Sequence, residues 1–200
     1  MADKKAILVD ASGMSLVGTG DALDKLNKKA AVLTNADRGG LVDRALALGG
    51  VRTDAASLAS ALEDTVFAMI SNKEEALAAA LEAANRRTVV VVAADDGVAF
   101  YGMTINRNTG RIDRKVNTDD IVLTIATIAD LPIDEGCTAA IIYQVLKDPN
   151  LKLNEIIKLQ EALARMESVI ERNSREPWDK HDCASTTRSE ERRVGKECRS

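Results

Sequence analysis

Acidic residues carry most of the chemistry this sequence can offer. Asp95 and Asp96 follow directly on a run of valines and alanines, TVVVVAADDG (Thr88–Gly97), and Asp10 closes an earlier apolar run, KKAILVD (Lys4–Asp10). Carboxylates are hard oxygen donors, and a pair leaving a strand, alone or with Asp10 from another strand's end, can hold a hard divalent ion. Neighbouring residues on a strand point to opposite sides unless the chain turns, and Gly97 permits that turn. The competing reading is an acidic turn that only solvates its loop.

Other motifs offer less. Gly18-Thr19-Gly20 lies between a strand and a helix, where glycines can cradle phosphate. The third glycine of a dinucleotide fingerprint is absent, because position 23 is Leu, and no Gly-Lys-Ser/Thr follows. An ordinary strand-to-helix connection is the better reading. His181, Asp182 and Cys183 are adjacent, whereas catalytic groups normally converge from distant segments, so a solvated tail is expected. Cys137, Cys183 and Cys198 have no paired spacing, which indicates neither a disulfide framework nor a zinc knuckle.

The elements that must position these residues alternate. Lys4–Asp10 reads as a buried strand and Asp21 as the cap of a helix, ALDKLNK. Lys29–Thr34 is a second strand, followed by a helix near Gly39–Leu48 that Gly49-Gly50 ends. Thr53-Asp54 starts another helix, and Thr65–Ile70 is a strand or that helix's end, with strand favoured. Ser71-Asn72 caps a helix over Lys73–Arg86, where Leu77, Ala80, Leu81 and Ala84 form an apolar stripe. The valine run Thr88–Ala94 is apolar on both faces, as in a central parallel strand covered by helices on both sides. Val98–Asn106 and Arg111–Val116 flank a polar glycine turn and read as a β-hairpin. Asn117 or Thr118 caps a helix closed by Pro132, and Cys137–Leu146 reads as a further helix. The fold class expected is α/β: a mostly parallel sheet with helices on both faces, a β-hairpin after the central strand, and a long C-terminal helix.

That last helix, Leu151–Arg172, places Ile156, Leu159, Leu163, Met166 and Ile170 at spacings of three and four, a short coiled-coil seam. It packs on its own domain or makes a dimer contact. Residues 1–150 form the expected domain, 151–172 the amphipathic helix and 173–200 a disordered tail. Within the tail, Arg188–Ser200 (RSEERRVGKECRS) resembles a translated sequencing adapter. Without it the charge is 22 − 28 = −6, against −4 for the 200-residue chain.

Such a balance invites neither nucleic acid nor an anionic membrane. Aromatic residues make up 2% of the chain, so rings for stacking bases or sugars are scarce. With no signal-peptide pattern at Met1–Lys5 and no apolar run of membrane-spanning length, a cytoplasmic protein is expected.

TVVVVAADDG, the FYG of Phe100–Gly102 and VNTDDIVLTIATIADLP (Val116–Pro132) together resemble the C-terminal part of the alkaline phosphatase superfamily. That group includes phosphodiesterases, sulfatases and cofactor-independent phosphoglycerate mutases. Its buried strand ends in Asp-His-Gly, and Asp10 matches the first metal-binding Asp of its opening strand. The resemblance implies a metal-dependent phosphoester or sulfoester hydrolase with a small phosphorylated or sulfated ligand. Asp10, Asp95 and Asp96 would be its metal ligands and Thr53, ahead of DAASLASAL, its nucleophile. A hydroxyl at a helix N-terminus gains from the dipole as it ionises, although a threonine there is also an ordinary N-cap. Asp96 stands in place of the family's His, and Gly102–Val116 holds no histidine, so Mg2+ or Mn2+ suits the donors better than zinc, and activity is expected to be weak or lost. The alternative is a non-catalytic α/β interaction domain that forms a homodimer through its C-terminal helix.

Overall fold

The computed structural model describes residues 3–71, 74–133 and 135–194. The chain divides into two compact units, Met1–Pro149 and Asn150–Ser200. The first is built on seven strands: β1 (Lys5–Ala11), β2 (Ala31–Ala36), β3 (Val51–Thr53), β4 (Phe67–Ser71), β5 (Thr88–Ala94), β6 (Gly97–Gly102) and β7 (Arg111–Val116). Five helices accompany them: α1 (Asp21–Lys29), α2 (Leu41–Ala47), α3 (Leu58–Asp64), α4 (Glu74–Ala83) and α5 (Thr118–Ala129). The strand order is β3-β4-β1-β5-β6-β2-β7. Only β6 runs against its neighbours; the pairs β3·β4, β4·β1, β1·β5 and β2·β7 are parallel.

The valine strand lies at the middle of this sheet, and every residue of β5 is buried. Strand periodicity sends its side chains to two separate cores. Val89, Val91 and Ala93 join Leu8, Phe67 and Phe100 under α2 and α5, while Val90, Val92 and Ala94 join Ile7, Val9 and Ile70 under α1, α3 and α4. Both faces are therefore covered, as the unbroken apolar run requires. With so few rings, the cores are filled mainly by Val, Ile, Leu and Ala, and Phe67 and Phe100 are the largest fully buried side chains.

The hairpin has other partners than those expected, with the valine strand itself as one arm. Asp95 and Asp96 form a two-residue turn, and β6 returns antiparallel to β5, pairing Ala94 with Gly97. Strands β6 and β7 are not paired with each other: β2 lies between them, antiparallel to β6 and parallel to β7. The alternating exposure of β7 suits an edge position, and β2, buried through Leu33, takes the interior one. Gly97 is where β2 comes closest, since a Cβ there would lie 2.4 Å from the Leu33 carbonyl oxygen.

One further expectation holds and two change. The stretch Thr65–Ile70 resolves to strand, as β4. The helix after Thr53 begins only at Leu58, and Thr53 itself ends edge strand β3. The Asp54 carboxylate instead accepts the Ser57 N–H at 2.9 Å, making a turn between strand and helix. Cys137–Leu146 is irregular apart from a 3-10 turn at Tyr143–Val145 and an isolated bridge between Leu146 and Ile105. Its β-branched and aromatic residues are poor helix formers. Ile142, Val145 and Leu146 serve as plugs in the core under α5, and the Ile142 N–H donates to the Thr124 hydroxyl at 3.0 Å. The Asn72 cap and the Lys73 helix start lie outside the described residues.

The second unit is carried by α6 (Leu151–Val194), so the helix expected to end at Arg172 continues into the stretch expected to be a disordered tail. The seam residues Ile156, Leu159, Leu163, Met166 and Ile170 are 50–65% exposed. Among the described residues no helix is long and apolar enough to cross a membrane.

Candidate functional site at the carboxyl edge of the sheet

Parallel strands bring their carboxyl ends to one edge, and open α/β sheets place ligands there. Register decides which acids meet. Asp10 of β1 pairs with Ala93 of β5, so Asp95 emerges just beyond it on the neighbouring strand. Asp10 follows Leu8 and Asp95 follows Ala93 in the two-residue period, which puts both acids on the face covered by α2 and α5. There they line a cleft of about 430 Å3 whose back wall is Leu8 and Ala93. The loop leading into α2 supplies Asp37 and Arg38 to the same cleft, and the loop after β1 supplies Ser12.

Inside the cleft the one pair of opposite charges is held loosely. An Arg38 guanidinium nitrogen lies 3.3 Å from the Asp95 carboxylate, and more than half of the Asp95 side chain is exposed. The Ser12 hydroxyl donates to Asp10 at 2.6 Å. Asp37 accepts the Gly39 N–H at 2.9 Å, and Thr118 donates to the carbonyls of Asp37 and Gly39 at 3.1 Å each. Through Thr118, α5 thus fixes the loop that presents Arg38.

Asp96 belongs to the opposite face, in step with Ala94. Its carboxylate takes the Leu16 N–H at 2.8 Å, the Ser15 hydroxyl at 2.7 Å and the Val17 N–H at 3.3 Å. Burial alone raises the Asp96 carboxyl, but the donors of Leu16, Ser15, its own backbone and Val17 together outweigh it and hold the group below the ordinary carboxylate range. The neighbouring Asp95 N–H donates to the Met14 carbonyl at 2.9 Å, so the turn and the loop after β1 are held together from both partners. Asp96 is thus spent on the backbone of that loop, whose Leu16 is buried in the core beneath.

Of the residues singled out in the sequence, Asp10 and Asp95 share the cleft, Asp96 faces away from it, and Thr53 does not line it. Thr53 stands on β3, two strands from β1, and its hydroxyl lies 3.5 Å from the Asp54 carbonyl. The helix that follows it starts only at Leu58, so Thr53 does not cap it. Among the described residues no group of three His, Cys, Asp or Glu side chains converges to hold a metal ion. The side chains of His181, Asp182 and Cys183, and all of Cys198, lie outside the described residues; Cys137 is exposed and unpaired.

Sequence reading missed Ser12, Asp37 and Arg38. For Ser12 the signal was its place two residues past the acid that ends β1. Asp37 and Arg38 carry no motif, and only the packing of the β2–α2 loop brings them to the edge. No protein-family model matches the chain, and no curated protein or solved structure is found similar to it.

Proposed function

We propose that the protein binds a small phosphorylated or sulfated molecule, together with one Mg2+ or Mn2+ ion, in the cleft of Asp10, Ser12, Asp37, Arg38 and Asp95. The observation that carries this reading is the meeting of Asp10, Asp95 and Arg38 at the carboxyl edge of β1 and β5. A guanidinium suits the planar oxygen pairs of phosphate and sulfate. Mg2+ is commonly held by one or two carboxylates with the remaining positions filled by ligand phosphates and water. Of the three carboxylates in the cleft, Asp37 is engaged by the Gly39 N–H; Asp10 and Asp95 therefore fit an ion that arrives with its anion, and they do not fit a zinc cage made of protein ligands alone. The Arg38–Asp95 pair is open to exchange: a metal–anion complex carries both signs and re-pairs each partner as it enters.

This reading keeps the fold and ligand class implied by the resemblance to the alkaline phosphatase superfamily and moves the hydroxyl. Ser12 is the hydroxyl in the cleft, donating to Asp10, so any phosphoester turnover is expected to run through Ser12. Calorimetry with a phosphomonoester tests the proposal, first alone and then with Mg2+ at saturation. Binding that needs the metal and disappears in Arg38→Ala supports it. Equal, absent or unsaturable heats in all three titrations rule it out.

A second reading rests on a separate observation. The α6 stripe from Leu153 to Ile170 is exposed, and its spacing of three and four is self-complementary. We infer that two copies of the chain pair through this seam. Sedimentation of the full chain tests it: a concentration-dependent dimer is expected, and a monomer at all concentrations removes it.

A further inference from the structure

The sheet's opposite edge holds a larger cleft, about 780 Å3, where β5 begins and β6 ends. Four cations line it: Lys29 from the end of α1, Arg86 ahead of β5, Arg107 from the loop after β6, and Lys147. No Asp or Glu is among its lining residues, in a chain whose net charge is −4. Among the described residues none of the four is ion-paired.

The uncharged groups lean the same way. The Asn85 side-chain oxygen accepts the Arg87 N–H at 2.8 Å and the Thr88 hydroxyl at 3.0 Å, and the Asn106 oxygen accepts the Asn108 N–H at 3.1 Å. The Asn85 oxygen is thereby filled, so its amide has only the NH2 group, a donor, left to offer a ligand, while the Asn106 oxygen keeps one lone pair. The lining is therefore rich in charged donors and holds no carboxylate.

Its floor is also held in an uncommon backbone shape. Thr104, a β-branched residue, has φ 61°, and Gly102 has φ 103° with the Thr88 carbonyl where a Cβ would sit. The Lys147 N–H donates to the Thr104 carbonyl at 2.7 Å and the Asn106 N–H to the Val145 carbonyl at 2.9 Å, so the irregular segment before Pro149 braces this loop. Left-handed conformations of β-branched residues persist where surrounding structure over-determines them, and they concentrate at ligand clamps.

We propose that this amino-edge cleft binds a small organic polyanion of the di- or triphosphate class. A single phosphate would leave most of four cations unneutralised, whereas a chain of two or three phosphoryl groups matches their charge. The cleft lies within the size range of small-molecule sites and leaves room beside the half-buried Tyr101 for the rest of the ligand. A nucleic acid strand would need a longer basic track with several stacking rings, and Tyr101 is the one ring here.

Calorimetry of the full chain with inorganic tripolyphosphate, without divalent metal, tests the site. Expected is saturable one-to-one binding that weakens with salt, falls roughly tenfold or more in the doubly charge-reversed Arg86→Glu/Lys147→Glu variant, and is unchanged in Arg38→Ala. The reversed side chains are exposed, and an unchanged thermal melt confirms that the variant is folded. Absence of saturable binding, indifference to the double reversal, or loss in Arg38→Ala overturns the proposal. So does a ten-nucleotide RNA that binds more tightly than tripolyphosphate. Because Arg38 serves only the carboxyl-edge cleft, failure there and failure here are read separately.

Discussion

The Asp96 carboxylate accepts the backbone N–H of Leu16 at 2.8 Å, joining the β5–β6 turn to the loop after β1 across 80 positions of sequence. With the Ser15 and Val17 donors, it closes the β1–α1 loop over the core in which Leu16 is buried. Removing the acceptor leaves the partly buried Leu16 N–H without its partner, while the exposed Val17 N–H keeps the Ser15 hydroxyl oxygen. Asp96→Ala is expected to cost about 1–3 kcal/mol in urea unfolding. A loss below a few tenths of that would show the loop to be held by other contacts.

The same carboxyl sets an acid limit. Its folded value lies below its ordinary one of about 3.9, so the contribution it makes to stability is complete above that pH. It is lost as pH falls through the folded value. Melting temperatures measured between pH 6 and pH 2 should therefore decline less steeply at the acid end in Asp96→Asn than in the parent protein. Parallel curves would mean that other carboxylates account for the acid loss.

In the cleft on the other side of the turn, Arg38 and Thr53 separate two accounts of the site. Arg38→Ala should abolish metal-dependent phosphomonoester binding, while Thr53→Ala leaves it unchanged, because Thr53 does not line the cleft. Where turnover is measured with an aryl phosphate and Mg2+, Ser12→Ala should remove it and Thr53→Ala should not. The reverse pattern would return the nucleophile to β3.

Thr127 offers a stability test away from any site. Its hydroxyl is buried in α5 with no hydrogen-bond partner among the described residues, at a residue 2% exposed. Thr127→Val keeps the shape and removes the unsatisfied group, and a gain of about 1 kcal/mol is expected in thermal or denaturant unfolding. Destabilisation would indicate that a water or an undescribed residue satisfies it.

On α6, Leu163→Asp places a charge at the centre of the exposed seam. If two chains pair there, the variant should sediment as a monomer with an unchanged melting transition for the sheet unit. The charge is expected to weaken pairing by about 2 kcal/mol or more, since a buried unpaired carboxylate is costly.

Local sequence was enough for the alternation of strands and helices, for the central place of TVVVVAADDG and for the edge at which acids would gather. An apolar run with no polar face can be buried only between two helical layers, and a carboxylate after such a run must leave at the strand's end. Which acids face each other was a matter of parity and register, which run between strands. The β1·β5 register sets Asp10 against Ala93, and the two-residue period then sends Asp95 toward Asp10 and Asp96 toward Leu16. The insertion of β2 between β6 and β7 was likewise out of reach, because nothing in either strand's own residues names a partner more than sixty positions away. The helix expected at Cys137–Leu146 gave way to long-range packing, since Ile142, Val145 and Leu146 lower the free energy more as plugs in the core than as one face of a short helix. Residue types thus determined which chemistry was on offer, and the tertiary structure alone decided that Arg38 and Ser12 would stand with Asp10 and Asp95 while Asp96 and Thr53 would not.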